Sequence, residues 1–273
     1  MSATDTTIDL DAMAELLIDA AIAAGEAIIH VYDGPIEVRE KADFFPVTAA
    51  DEAAEAVILA LLAQRAPAIP VIAEEAVSRG TVPEIGRHFF LVDPLDGTKE
   101  FIARNGEFTV NIALIEDGEP VAGIVYAPAI SRLFLGIVGR GAREARIDEG
   151  KPGAWRSIAV RNLPAEGLTA VASRSHFNPE TEAFLAGFPI AARVSAGSSL
   201  KFCLIAVGEA DLYPRMGRTM EWDTAAGHAV LAAAGGKVTL TDGPSLRYGK
   251  RGVDPDVNFA NAAFIAYGSI NCN

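Results

Sequence analysis

The hexapeptide Asp93-Pro94-Leu95-Asp96-Gly97-Thr98 holds the most concentrated chemistry in the chain. It follows a short apolar run, Phe89 to Val92, so a buried strand would deliver Asp93 to the end of a sheet. Pro94 fixes the turn, and Gly97 permits close backbone approach. The two acids stand three positions apart with the Leu95 carbonyl between them. Hard divalent ions such as Mg²⁺ take oxygen ligands, and two carboxylates plus a carbonyl can bridge a pair of them. Thr98 opens the next segment, where its hydroxyl can orient a water. The plainer reading is a strand followed by an Asx turn. Glu74-Glu75 close a second apolar run, Val71 to Ala73. Alone they read as a solvated strand end; beside a strand ending in Asp93 they become a candidate ligand set. Asp223, within Glu221-Trp222-Asp223-Thr224-Ala225-Ala226-Gly227, is a third contributor. By itself it reads as an N-cap or first-turn acid complementing a helix dipole. Asp51 reads equally well as the capping-box partner of Thr48.

The elements that must position these groups follow from periodicity. Leu10, Met13, Leu17, Ala20, Ala24 and Val31 recur at helical spacing, predicting a helix over 9–32 that Asp33-Gly34-Pro35 ends. Ile36 to Glu40 alternates like a strand, and a second helix should run from Thr48 to about Arg65. The period then changes: Pro70–Ala73, Phe89–Val92, Phe108–Ile115, Val121–Tyr126 and Leu133–Val138 read as strands, with turns at Asp117-Gly118 and Ala127-Pro128. Residues 140–156 are polar and Gly-rich, a loop or hairpin near a boundary between halves. Beyond it strands (Ala170–Ala172, Ala192–Val194, Ala210–Tyr213, Lys237–Thr239, Phe264–Tyr267) alternate with helices (Glu180–Ala186, Ser198–Val207, Trp222–Ala234). The chain has no internal repeats. The pattern predicts a layered α/β protein with a mixed sheet in each half. Residues 1–150 would carry the metal site and 151–273 the substrate-recognition residues, within one compact unit.

Composition bounds the function. With 273 residues, 23 Lys plus Arg and 36 Asp plus Glu, the formal net charge is -13. Half the residues are apolar, which suffices for a sizeable core. The acidic balance argues against nucleic acid or an anionic membrane as partner, since both are bound by basic patches. Two cysteines, Cys203 and Cys272, cannot build a disulfide framework or a zinc cage, which fits a reducing compartment. Met1 to Asp11 is polar and acidic, unlike a secretory signal, and no segment reads as a membrane span. The expectation is a cytoplasmic protein, with a peripheral place on the cytoplasmic face of the inner membrane as the variant.

Glu74-Glu75, then Asp93-Pro94-Leu95-Asp96-Gly97-Thr98, then Trp222-Asp223-Thr224-Ala225 at a long interval resembles the inositol monophosphatase superfamily of Mg²⁺-dependent phosphatases. Both signature motifs are present in order, and the resemblance runs from the first helix to the final strand. Finer segments are similar to its 3'(2'),5'-bisphosphate nucleotidase branch, the CysQ type: Lys99-Glu100-Phe101 through Phe108-Thr109-Val110-Asn111, Val125-Tyr126-Ala127-Pro128, Ser173-Arg174-Ser175-His176, Gly197-Ser198-Ser199-Leu200-Lys201 and Thr219-Met220-Glu221. Inositol phosphatases typically carry Thr-Asn where Lys99-Glu100 stands. Phe44-Phe45 before Pro46 departs from the small polar residue usual there and bears on a loop near the metals. An aspartyl-nucleophile phosphatase fails on spacing, because its two acids are separated by one residue and Asp93 and Asp96 by two.

The resemblance implies a five-layer αβαβα sandwich. It implies two or three Mg²⁺ ions held by Glu74, Asp93, the Leu95 carbonyl, Asp96 and Asp223, with Asp51 and Thr98 as the dyad that orients and deprotonates the attacking water. Substrate would touch Glu74, Leu95, Asp96, Gly97, Thr98 and Asp223 as well as the second half. There Ser173, His176 and Ser198 offer polar groups, while Lys201 and Arg218 would add charge for a second phosphate. His176 suits a substrate contact rather than a metal in so oxygen-rich a site. The implied reaction removes the 3'-phosphate from adenosine 3',5'-bisphosphate, giving AMP, with 3'-phosphoadenylyl sulfate as a related substrate. The protein would act as a monomer or homodimer on a small nucleotide bisphosphate. The competing readings are an inositol- or sugar-phosphate phosphatase on the same scaffold, and an inactive metal- and nucleotide-binding regulator.

Overall fold

The computed structural model describes residues 8–36, 38–40, 46–173, 179–252 and 258–270. Seven helices lie in them: α1 (Leu10–Tyr32), α2 (Ala49–Arg65), α3 (Glu74–Ser78), α4 (Thr98–Ile102), α5 (Pro179–Leu185), α6 (Leu200–Ala206) and α7 (Ala225–Ala233). A short pair, β1 (Val38–Glu40) and β2 (Pro46–Thr48), runs antiparallel. The first large sheet contains β3 (Val71–Ala73), β4 (His88–Asp96), β5 (Thr109–Glu116), β6 (Glu119–Ala127), β7 (Arg132–Ile137), β8 (Gly141–Asp148), β9 (Lys151–Pro152) and β10 (Arg156–Ile158). Its order is β10-β8-β7-β6-β5-β4-β3, with β9 on β8; only β3 and β4 pair parallel. The second sheet uses β11 (Leu168–Ser173), β12 (Ile190–Ala196), β13 (Leu212–Arg215), β15 (Lys237–Leu240) and β17 (Phe264–Tyr267) in the order β12-β11-β13-β17-β15. Between β13 and β17 in sequence, β14 (Thr219–Met220) pairs with β16 (Ala260–Asn261).

Side-chain alternation on the strands sets the layers. On β4, Phe90 and Val92 pack with Leu17, Ala20 and Ile28 of α1 and Ile58 of α2. Phe89 and Leu91 point the other way, into a core shared with Phe202 of α6, Val230 of α7 and Phe264 of the second sheet. The far face of that sheet, through Ala170, Leu212 and Ile265, packs on Leu185 of α5. The succession is therefore α1/α2, sheet, α6/α7, sheet, α5, the five-layer sandwich expected from the sequence. No described helix is long and apolar enough to cross a membrane.

Local chemistry explains the ends. The Asp9 carboxylate caps α1, accepting from Asp11 N at 3.0 Å and Ala12 N at 3.2 Å. Thr48 and Asp51 form the expected capping box on α2. Residues 140–156 fold as a hairpin, and β9 and β10 still belong to the first sheet. Two elements differ from expectation at the motifs. The strand that should stop at Val92 continues to Asp96, because Asp93 faces Asn111 on β5 and Asp96 resumes pairing with Thr109 after a bulge. The helix expected from Trp222 starts at Ala225, after a turn that carries Asp223.

Candidate active site

The parallel pairing of β3 with β4 aligns Ala73 with Val92, so the next residues, Glu74 and Asp93, emerge together at one sheet end. Glu74 is half-buried at the start of α3, and Asp93 is buried. Asp93 Oδ1 accepts from Leu95 N at 3.0 Å, so the motif contains the Asx turn as well as the bulge. Leu95 itself is buried, and its assigned contact is through the backbone carbonyl. Gly97 takes φ 93°, the left-handed region open to glycine, and turns the chain into α4.

Thr98, first in α4, donates from Oγ1 to Asp51 Oδ1 at 3.3 Å. The other oxygen of Asp51 accepts from Thr48 N and Thr48 Oγ1, each at 2.7 Å. Asp51 is thus both the capping acid and the partner of Thr98. One of its oxygens serves the cap and the other receives the Thr98 hydroxyl.

Asp223 comes from the other half. It does not cap α7: its Oδ2 accepts from Met220 N at 2.8 Å, inside the turn. Burial, then the negative charges of Asp96 and Glu74, hold its carboxyl well above the usual range. Burial likewise raises Asp96, against the opposing pull of Lys201, Asn111 and Ser199. Acids from both halves therefore share one field. Among the described residues no three His, Cys, Asp or Glu side chains close on a common point as a cage. They form a spread wall of oxygen donors, which suits a small hard cation that keeps several of its own waters. A bound cation also reverses the mutual repulsion that raises these carboxyls. The residues fit such an ion.

Beside the acids lies a cationic face. Lys201 on α6 is buried; burial lowers its ammonium to about 8, opposed by the charge of Asp96. Its Nζ sits 5.4 Å from the Tyr213 ring centroid. Arg215, at the end of β13, is half-buried, and its Nε is enclosed without a hydrogen-bond partner. Its charge reaches Lys201, Tyr213 and Asp223. Arg218 is exposed, and its carbonyl accepts from Arg215 Nη2 at 3.1 Å. Ser198 has φ 47°, a left-handed conformation that costs a non-glycine residue about 1–3 kcal/mol. Its buried Oγ has no partner either. A strained residue with an idle, buried hydroxyl, three positions before Lys201, is suited to receive an anion. Ser173 ends β11, and His176 lies outside the described residues, as do Phe44 and Phe45.

Four residues escaped the sequence reading. Arg215 gave no signal, being a single cation after an apolar strand. Glu107 accepts from Gly197 N at 2.9 Å and so anchors the turn before Ser198. Glu55 and Asn111 did leave a trace. Glu55 sits four residues after Asp51 on the buried face of α2, and Asn111 interrupts the otherwise apolar β5. Glu55 Oε2 accepts from Glu75 N at 2.8 Å and Ala76 N at 3.2 Å, and its Oε1 pairs with Arg79 at 2.6 Å. It fixes the first turn of α3, where Glu74 stands.

The model of the inositol monophosphatase family matches residues 9–265. The 3'(2'),5'-bisphosphate nucleotidase CysQ of Salmonella typhimurium is 46% identical over 254 residues, covering 92% of this chain and 98% of that protein. CysQ of Escherichia coli K12 is 47% identical over 243 residues, covering 88% and 94%. Among solved structures, CysQ from Bacteroides thetaiotaomicron, described as a bacterial member of the inositol monophosphatase family, superimposes with a TM-score of 0.78 at 38% identity, covering 95% of this chain and 98% of that one. Inositol monophosphatase from Anabaena gives 0.73 at 26% identity, covering 96% and 93%. With its motifs in order, its layers matched and the family model spanning nearly its whole length, the chain belongs to the inositol monophosphatase family.

Proposed function

We propose that the chain is a Mg²⁺-dependent 3'(2'),5'-bisphosphate nucleotidase, hydrolysing the 3'-phosphate of adenosine 3',5'-bisphosphate to AMP and phosphate, with 3'-phosphoadenylyl sulfate as a second substrate. The observation that carries this is near-full-length identity of 46–48% to proteins named for that activity. The cationic face beside the acids supports it, because a bisphosphate brings a second anion that a monophosphate lacks. Sulfur assimilation in the cytoplasm is the corresponding role.

Glu74, Asp93, the Leu95 carbonyl, Asp96 and Asp223 would hold two or three Mg²⁺ ions. Mg²⁺ held there would supply charge to offset the phosphoryl oxygens, acidify a water and stabilise the leaving oxygen. The Thr98 hydroxyl, committed as a donor to Asp51, presents its lone pair to that water's hydrogen. Asp51 takes up the proton released, while its contacts to Thr48 keep it in place. Lys201, Arg215 and Ser198 receive the phosphate that is not cleaved, and Gly97 leaves room at the one that is.

Phosphate release from a panel tests the reading: adenosine 3',5'-bisphosphate, 3'-phosphoadenylyl sulfate, inositol 1-phosphate and fructose 1,6-bisphosphate, with and without Mg²⁺. The bisphosphonucleotide should give the highest kcat/KM, and Asp96→Asn should abolish turnover in a folded protein. Preference for inositol 1-phosphate would assign the scaffold to the other branch, and no release from any compound would favour a regulator.

A further inference from the structure

Asn111 is fully buried as the third residue of β5, in a strand whose inward neighbours Ala113 and Ile115 are apolar. A buried amide has to satisfy two donors and an acceptor, and each unmet group is costly. Here all are met. Nδ2 donates to Asp96 Oδ2 at 3.2 Å and to Ser199 Oγ at 3.0 Å, while Oδ1 accepts from Thr109 Oγ1 at 3.1 Å. Ser199 in turn donates from Oγ to the Asp223 carbonyl at 2.7 Å. Ser199 stands at the N-cap of α6 yet makes no side-chain cap bond, so its hydroxyl is spent on this chain of contacts.

The partners fix the amide's orientation, since an ionised carboxylate can only accept. The β4–β5 register explains the reach: Asn111 faces Asp93, and the bulge brings Asp96 back beside the same strand. The result is a continuous path from an acid of the first sheet, through Asn111 and Ser199, to the turn that bears the acid of the second half, with Ser199 also bonded to Asp96 directly. From this we infer that Asn111 is a positioning residue, its amide holding Asp96 and the Asp223 turn at the spacing that metal binding requires. The inference rests on the reading of Asp96 and Asp223 as metal ligands. An aspartate in its place would set a like charge against Asp96 and could not donate, and a leucine would keep the shape without the bridge.

The test is calorimetric titration of MgCl₂ alone into the full-length wild type, Asn111→Leu, Ser199→Ala and the double variant, alongside the Tm of each without metal. Loss of an outer partner of a metal ligand typically costs about 10–100-fold in affinity, and that range is expected for Asn111→Leu. Because both residues serve one path, the double variant should bind no more weakly than the weaker single one. In turnover, the Mg²⁺ concentration for half-maximal rate should rise more than KM for the nucleotide. A purely structural role would lower Tm and leave Mg²⁺ affinity unchanged, which overturns the inference, as do fully additive losses. If Asn111→Leu does not fold, Asn111→Ser, too short to reach Asp96 and Ser199 together, decides instead: wild-type Mg²⁺ affinity there overturns the inference. A wild-type chain that binds no Mg²⁺ would overturn the reading of the site itself, and the inference with it.

Discussion

Alanine at Gly123 should cost the protein both stability and turnover, whereas alanine at Gly136 should cost mainly stability. Both glycines lie in strands, β6 and β7, where α7 rests directly on the sheet. A Cβ at Gly123 would sit 2.7 Å from Ala229 Cβ, 2.8 Å from Ala226 O and 3.0 Å from Ala226 Cα. At Gly136 it would sit 2.5 Å from Val230 Cα and 2.7 Å from Ala229 O. Carbon atoms prefer about 3.5–4.0 Å, so the backbone of α7 must lift by close to 1 Å at either point. Overpacking of this kind costs about 1–3 kcal/mol, or a Tm lowered by roughly 2–5 °C at this chain length. The two sites differ in what moves. Ala226 is three residues from Asp223, while Val230 is a further turn away, about 6 Å along the axis. A 1 Å misplacement at a reacting centre can cost about 100-fold, so Gly123→Ala should lower kcat by one to two decades and Gly136→Ala by less. Gly86→Ala, with nothing within 4 Å of the new carbon, is the control. Phosphate release at saturating Mg²⁺ and thermal melts read the two effects. Wild-type kcat and Tm in Gly123→Ala would refute the argument that glycine there exists to seat the helix.

Two further outcomes follow from buried groups outside the dyad. Glu55→Ala leaves the Glu75 and Ala76 N–H groups and Arg79 without their acceptor, so denaturant unfolding should show a loss of about 2–4 kcal/mol, while Glu55→Gln, which keeps one accepting oxygen, should lose less. His228 is buried against the Tyr248 hydroxyl, and burial lowers its pKa from 6.5 to about 3. Below pH 6.5 the unfolded chain therefore takes up a proton that the folded chain refuses, so stability should fall progressively from pH 6.5 toward 3, and His228→Gln should flatten that limb of the stability–pH curve.

The parts of this molecule that were legible in its sequence are those decided by near neighbours. Thr48 and Asp51 announce a capping box because both partners lie within one turn. Asp93 and Asp96 announce a site because the run Phe89 to Val92 before them is wholly apolar. The bulge in β4 was hidden, since it depends on β5 resuming its pairing at Thr109. Asp223 was placed on a helix because the small residues after it read as helix, yet Met220 N draws it into a turn. Arg215 could not be told from a surface cation, because what distinguishes it is a buried Nε and a charge that bears on Lys201 of α6 and on Asp223. Its relevance is a property of tertiary contact alone.

The site's charged groups are distributed very unevenly along the chain: Asp51, Glu74, Asp93 and Asp96 precede the middle, while Lys201, Arg215 and Asp223 arrive more than a hundred residues later. During synthesis at about 5–20 residues per second, the first sheet and its carboxylates emerge on the order of ten seconds before the wall that faces them. A nascent chain thus displays a nearly finished set of acids with no cationic face opposite. On the proposed function, hydrolysis would be switched on only in the last third of translation, and a truncated product of a stalled ribosome would hold the acids without the cations proposed to receive a bisphosphate.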